Sequence, residues 1–160
     1  MFALSEAGGT LEDLGPLVSS APDLLCRAEL RVEHPAGAWA VRFASAIYDE
    51  PDAVLWDVPS LLVVRYGFVA YGLGARNGRL EWHHRSGSPL VAILGSSRLD
   101  HVIVQAEVET FALDESGGIL WRATHSDVVA EADLVGGRLV LTSFDGQVSA
   151  LDPETGRGVG

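Results

Sequence analysis

Three evenly spaced glycines constrain this chain more than any other feature. Gly78, Gly117 and Gly156 lie 39 residues apart each time. The segment Phe111-Ala-Leu-Asp-Glu-Ser-Gly-Gly-Ile-Leu-Trp121 returns as Ala150-Leu-Asp-Pro-Glu-Thr-Gly-Arg157, and its second half stands earlier as Asn77-Gly-Arg-Leu-Glu-Trp82. A fixed period of this size marks small antiparallel β units that bury their faces by stacking. The sequence divides into units at 54–82, 83–121 and 122–160, behind a less regular part at 1–53, all within one domain of 160 residues.

Short apolar runs alternate with turn residues from about residue 54 onward. Strands are expected at 61–66, 68–73, 80–82, 89–94, 101–105, 108–113, 119–122, 128–135, 138–142 and 147–151. Asn77-Gly78 and Asp145-Gly146 supply the positive φ that two-residue hairpin turns need. Residues 61–64 and 102–104 are apolar at both parities. A half-exposed strand would alternate, so these strands are expected to be covered on both faces. In the first part, residues 2–11 repeat 111–120 at seven of ten compared positions, so the chain begins inside a unit. A hairpin across His34-Pro-Ala-Gly37 and an acidic turn at Asp49-Glu-Pro-Asp52 follow. A helical turn at 11–18 or 23–28 is the one helical expectation.

Composition narrows function. Net charge is −11, and the eleven basic residues are scattered singly. Nucleic-acid binding relies on clustered Lys and Arg, so a nucleic-acid partner is not expected. No run reaches the ~20 apolar residues of a membrane span, and no membrane partner is expected. Residues 1–9 carry neither a basic nor an apolar leader region, which points to a cytoplasmic protein. Hydrophobic residues make up 48% of the chain. In a short repeat array that excess is core or subunit interface, and a homo-oligomer, a dimer first, is expected.

The segment Ala150-Leu-Asp-Pro-Glu-Thr-Gly resembles the repeat of pyrroloquinoline-quinone-type (PQQ-like) β-propellers, Ala-x-Asp-x-x-Thr-Gly-x-x-x-Trp. Residues 112–121 carry it with one residue deleted, and Asn77–Trp82 keep its end. The resemblance covers residues 60–160 and the fragment at 2–11. It implies an all-β fold: antiparallel sheets of a small or partial propeller. Four units closing into a ring, or a half-propeller completed by a second copy, are the two arrangements it allows. In the motif Asp114 and Asp152 accept hydrogen bonds from turn amides, supported by Ser116 and Thr155. Trp82 and Trp121 then lie between adjacent blades. Quinoprotein dehydrogenases of this family have about eight blades, a calcium site and a vicinal disulfide. This chain has a single cysteine, and none of its residues maps onto that cofactor site. Cofactor-free members are protein-binding scaffolds.

Candidate chemistry is sparse. His83 and His84 are neighbours, so on a strand they point to opposite faces and read as surface or edge residues. His101 opens a strand, and His125 sits in a loop with Ser126 and Asp127. That trio looks like a catalytic set, but sequence neighbours rarely form a triad. Asp49, Glu50 and Asp52 read as a solvated turn rather than a cation site, Cys26 as a small half-buried residue, and the Gly-rich 72–78 as a hairpin. No catalytic, cofactor or metal residue is assigned. The expected function is a non-catalytic protein-binding module, possessing an acidic surface suited to a basic partner, as in an inhibitory or immunity-type protein. The alternative is a ligand-binding or enzymatic remnant with a site at one end of the propeller axis, lined by the loops before Trp39, Ser60, Ser88 and Ser126. A piece of a larger propeller with no independent role is the third reading.

Overall fold

The computed structural model describes residues 2–6, 26–35, 37–47 and 49–159, and within them every regular element is a β-strand. The strands form four antiparallel sheets in chain order. The first contains β1 (Phe2–Glu6), β2 (Cys26–His34) and β3 (Gly37–Ser45). The second contains β4 (Asp52–Trp56), β5 (Leu61–Tyr66), β6 (Val69–Gly74) and β7 (Leu80–Arg85). The third contains β8 (Leu90–Leu94), β9 (Val102–Ala106), β10 (Glu109–Leu113) and β11 (Ile119–Thr124). The fourth contains β12 (Val129–Val135), β13 (Arg138–Ser143) and β14 (Val148–Leu151). Within each sheet the strands follow one another as a meander.

The doubly apolar strands are the middle layers of this stack. On β5, Leu61 and Val63 face the third sheet, in a cluster with Trp82, Val104 and Phe111. Leu62 and Val64 face the first sheet, packed with Leu30, Phe43 and Leu73. On β9, Val102 and Val104 belong to the seam with the second sheet, whereas Ile103 joins Leu139 and Leu141 of the fourth. Val63, Val64, Ile103 and Val104 are fully buried, each worth about 1.5–3 kcal/mol relative to exposure. Among the described residues, the buried clusters join first to second, second to third and third to fourth sheet, and none joins the fourth to the first.

Two local expectations are adjusted. The Asn77-Gly78 turn is longer than a two-residue hairpin: residues 75–79 bridge β6 and β7, closed by the Gly74 amide on the Arg79 carbonyl at 2.8 Å. The helical turn at 11–18 lies outside the described residues. That at 23–28 does so for residues 23–25, and residues 26–28 begin β2, whose pairing with β3 buries Ala28. The hairpin across residues 34–37 is present, and β1 pairs with β2 throughout.

Candidate functional site

Each junction between sheets is pinned by one tryptophan near the start of a sheet's last strand. Trp39 on β3 donates its indole N–H to the Ala75 carbonyl at 3.0 Å, and its ring covers Gly78. Trp82 on β7 donates to the Glu115 carbonyl at 3.0 Å and covers Gly117. Trp121 on β11 donates to the Pro153 carbonyl at 3.1 Å and covers Gly156. The three glycines have φ of +72°, +83° and +73°, and a Cβ on any of them would meet an indole atom at less than 3 Å. The 39-residue period of the glycines is therefore the period of this docking. The turn receiving Trp82 is built as the motif requires. Asp114 Oδ1 accepts from the Ser116 amide at 2.9 Å, the Ser116 hydroxyl at 2.8 Å and the Gly118 amide at 2.9 Å. Those bonds, that from Gly118 first, hold its carboxyl below the ordinary carboxylate value. Asp152 accepts from the Glu154 amide at 2.9 Å, but Thr155 turns to the Arg157 amide instead.

The histidines divide by role. His83 is exposed as expected. His84 is not simply a surface residue: its ring lies 4.6 Å from that of Phe111 across the second seam. Burial, aided by the Arg122 charge and opposed by Glu109, lowers its pKa. His101 is buried, and its Nε2 donates at 2.8 Å to the same Pro153 carbonyl that Trp121 uses. His125 contacts neither Ser126 nor Asp127 through its Nε2, which lies 2.7 Å from Thr110 Oγ1. The Thr110 hydroxyl in turn donates to Gln105 Oε1 at 2.5 Å, since the Gln105 amide nitrogen is committed to the Ala106 and Glu109 carbonyls. With its one proton so used, Thr110 accepts from His125, which fixes the Nε2–H form. Burial holds the His125 pKa below its ordinary value. A polar recess of about 280 Å³ beside it is lined by His125, Ser126, Asp127 and Gln147.

The acidic turn is partly structural. Asp49 Oδ2 accepts from the Gly67 amide at 2.9 Å and pairs with Arg65 at 3.3 Å, tying the link after β3 to the β5–β6 turn. Glu50 and Asp52 are exposed. Cys26 is half-buried beside the first seam. Among the described residues no group of three His, Cys, Asp or Glu side chains is placed to hold a metal ion.

The loops expected to share one end of the axis are split between both ends. The turns before Trp39 and Ser60 lie at the end where the tryptophans dock. The links containing Ser88 and Ser126 lie at the other, bonded to the β5–β6 and β9–β10 turns. At the docking end a cleft of about 540 Å³ opens between the second and third sheets. Its walls come from the end of β4, the 57–60 turn, the 95–101 loop and Glu115. Trp56 lines it, with Val58 and Leu55 at 83% and 54% exposure. Asp57, Asp100 and Glu115 are exposed carboxylates on three separate turns, and no Lys or Arg belongs to the lining. Ser60 holds φ +67°, and its carbonyl accepts from the Ala75 amide at 3.0 Å, which fixes the turn that carries Val58.

Stacked meanders of three or four strands, each locked to the next by a tryptophan on a glycine turn, define a β-propeller repeat protein. Residues 66–159 match the family model described as outer membrane protein assembly factor BamB, and the chain belongs to this PQQ-like family. Among solved structures, BamB from Moraxella catarrhalis is similar with a TM-score of 0.62 and 22% identity, covering 99% of this chain and 51% of that one. The chain thus spans about half the length of that BamB. The Neurospora crassa Pan2 WD40 domain is similar with a TM-score of 0.57 and 14% identity, covering 68% and 36% of the two chains. Dihydro-heme d1 dehydrogenase NirN gives a TM-score of 0.64 and 12% identity, covering 84% and 32%. At these identities the likeness is one of fold. No curated protein matches the sequence.

Proposed function

We propose that the chain is a non-catalytic protein-binding module on a partial propeller, and that its partner is basic. The observation that supports this most is the docking-end cleft, where exposed apolar side chains and three carboxylates stand on rigidly stacked sheets. His84 and His101 meanwhile make contacts across the seams, and His125 is bonded within the third sheet. Family membership supports the same reading, because BamB is by description an assembly factor. An inhibitory or immunity-type role, in which the acidic module neutralises a basic protein, is the sharper form, motivated by the net charge of −11. Self-association belongs to this reading too. Val135 and Val148, 55% and 68% exposed, lie on the face of the fourth sheet turned away from the third, which a second copy would cover. Light scattering coupled to gel filtration tests that part; a strict monomer at micromolar concentration contradicts it.

The test of function is calorimetric titration with basic candidate partners at low and high salt, alongside assays for hydrolase and dehydrogenase turnover. Saturable binding that weakens with salt is the expected result. Turnover that disappears on replacing His101, His125 or Asp127 would contradict a binding module.

A further inference from the structure

We infer that the cleft between the second and third sheets takes an extended protein segment in which a lysine or arginine is flanked, two residues away, by an apolar side chain. This rests on the protein-binding reading above and names the site and the chemistry of its occupant.

Trp56 is the first reason. Three of the four tryptophans stand at docking positions, one per seam. Trp56 is out of phase with them, at the end of β4, and the matching strand β8 ends in Leu94. It packs at the edge of the core between the second and third sheets and also lines the cleft. Val58 is the second: an 83% exposed valine beside an exposed leucine and an indole is apolar surface that gains by being covered. The turn bearing it is already fixed through Ser60, so little ordering cost is left for binding.

Charge selects the occupant. Asp57, Asp100 and Glu115 reach the cleft from three turns, and Arg98 shares the 95–101 loop without lining it. An anionic segment would be repelled by these groups and by the net charge of −11. A lysine or arginine gains three carboxylates together with an aromatic face. In an extended segment, residues two apart project to the same side. An apolar side chain at that spacing therefore meets Trp56 and Val58 while the cation meets the carboxylates. A volume of about 540 Å³ lies in the range of preformed ligand sites and accommodates both groups.

The probe is the capped peptide Gly-Leu-Ser-Lys-Ser-Leu-Gly, titrated calorimetrically into the whole chain at two salt concentrations. Binding at one site, weaker at high salt, is expected. Asp100→Asn combined with Glu115→Gln should weaken it about tenfold, as loss of two partly solvated charge pairs implies. The Glu115 carbonyl, not its side chain, docks Trp82, so the seam is preserved. Unchanged circular dichroism and Tm check that the variant folds. Asp133→Asn, at an exposed carboxylate of the fourth sheet, should leave affinity as it was. Equal binding by a Lys→Glu peptide, or by one with serine for both leucines, overturns the inference. So does an Asp133→Asn effect equal to that of the double variant, or no binding at all. A natural partner that binds while the peptide does not overturns the cleft assignment alone and leaves the binding-module reading standing.

Discussion

The ring of Trp121 lies across Gly156 so closely that a Cβ on that glycine would sit 2.3 Å from indole Cε3. Gly156→Ala therefore combines a left-handed φ of +73° with overpacking. The expected cost is about 2–5 kcal/mol. Gly136→Ala, at φ +59° with open space around the added carbon, should cost only about 1–2 kcal/mol. Urea unfolding of the two variants measures the difference; equal costs would mean the ring does not rest on the turn.

Trp82 is the most enclosed of the docking indoles. It is 8% exposed and sits between Gly72 of its own sheet and Gly117 of the next. Trp82→Ala is expected to lose about 3–5 kcal/mol. Trp121, only half-buried, should lose less. His83→Ala, at an exposed site next to Trp82, should stay within about 0.5 kcal/mol. Thermal unfolding of the three variants gives the order.

Stability should fall in acid in two separate ranges. His84 and His125 have folded-state pKa values below the ordinary 6.5, mainly through burial. The unfolded chain then binds more protons, so stability drops as pH drops. Their contribution is complete above about pH 6.5 and is lost as pH falls through the depressed values. Asp114 is held below its ordinary 3.8 by hydrogen bonds and acts in the same direction at lower pH. A Tm that declines between pH 7 and 5, with a smaller decline in a His84→Gln, His125→Gln variant, is the expected outcome. A Tm that rises over that interval would reverse the sign.

Asp49 offers a test of the link between the first two sheets. Asp49→Ala leaves the Gly67 amide and Arg65 without their carboxylate. A loss of about 1–3 kcal/mol is expected, as for a charged hydrogen-bond partner in a half-buried place. Arg65→Lys should lose less, because the Gly67 amide bond is kept. Denaturant titration of both variants decides.

The stacking was legible in the sequence because a short local motif recurs at a fixed period. Gly117, Asp114 and Trp121 fall within eight residues, and the doubly apolar run at 61–64 states that both faces are covered. The His101 contact was not legible, since its partner Pro153 lies 52 residues away, although the apolar run at 102–104 beside it signals burial. Asp49 looked like one member of a solvated acidic turn, and only the packing of the 49–51 link against Gly67 gives it a partner. The cleft was least visible of all. Its residues come from three turns in two sheets, each unremarkable alone, and Trp56 has no place in the period that identifies the other indoles.

The account's central claim is that three tryptophans dock on the glycine turn of the next sheet, whereas the fourth, packed at the edge of the second seam, is the one that also lines the cleft. Hydrogen exchange of the four indole N–H groups by nuclear magnetic resonance tests this most directly. The protons of Trp39, Trp82 and Trp121, bonded to the Ala75, Glu115 and Pro153 carbonyls, should exchange slowly. That of Trp56 should exchange fast in the free protein and shift selectively when the basic peptide is added. Four indoles that exchange alike, or a protected Trp56 with an unprotected Trp82, would contradict the claim.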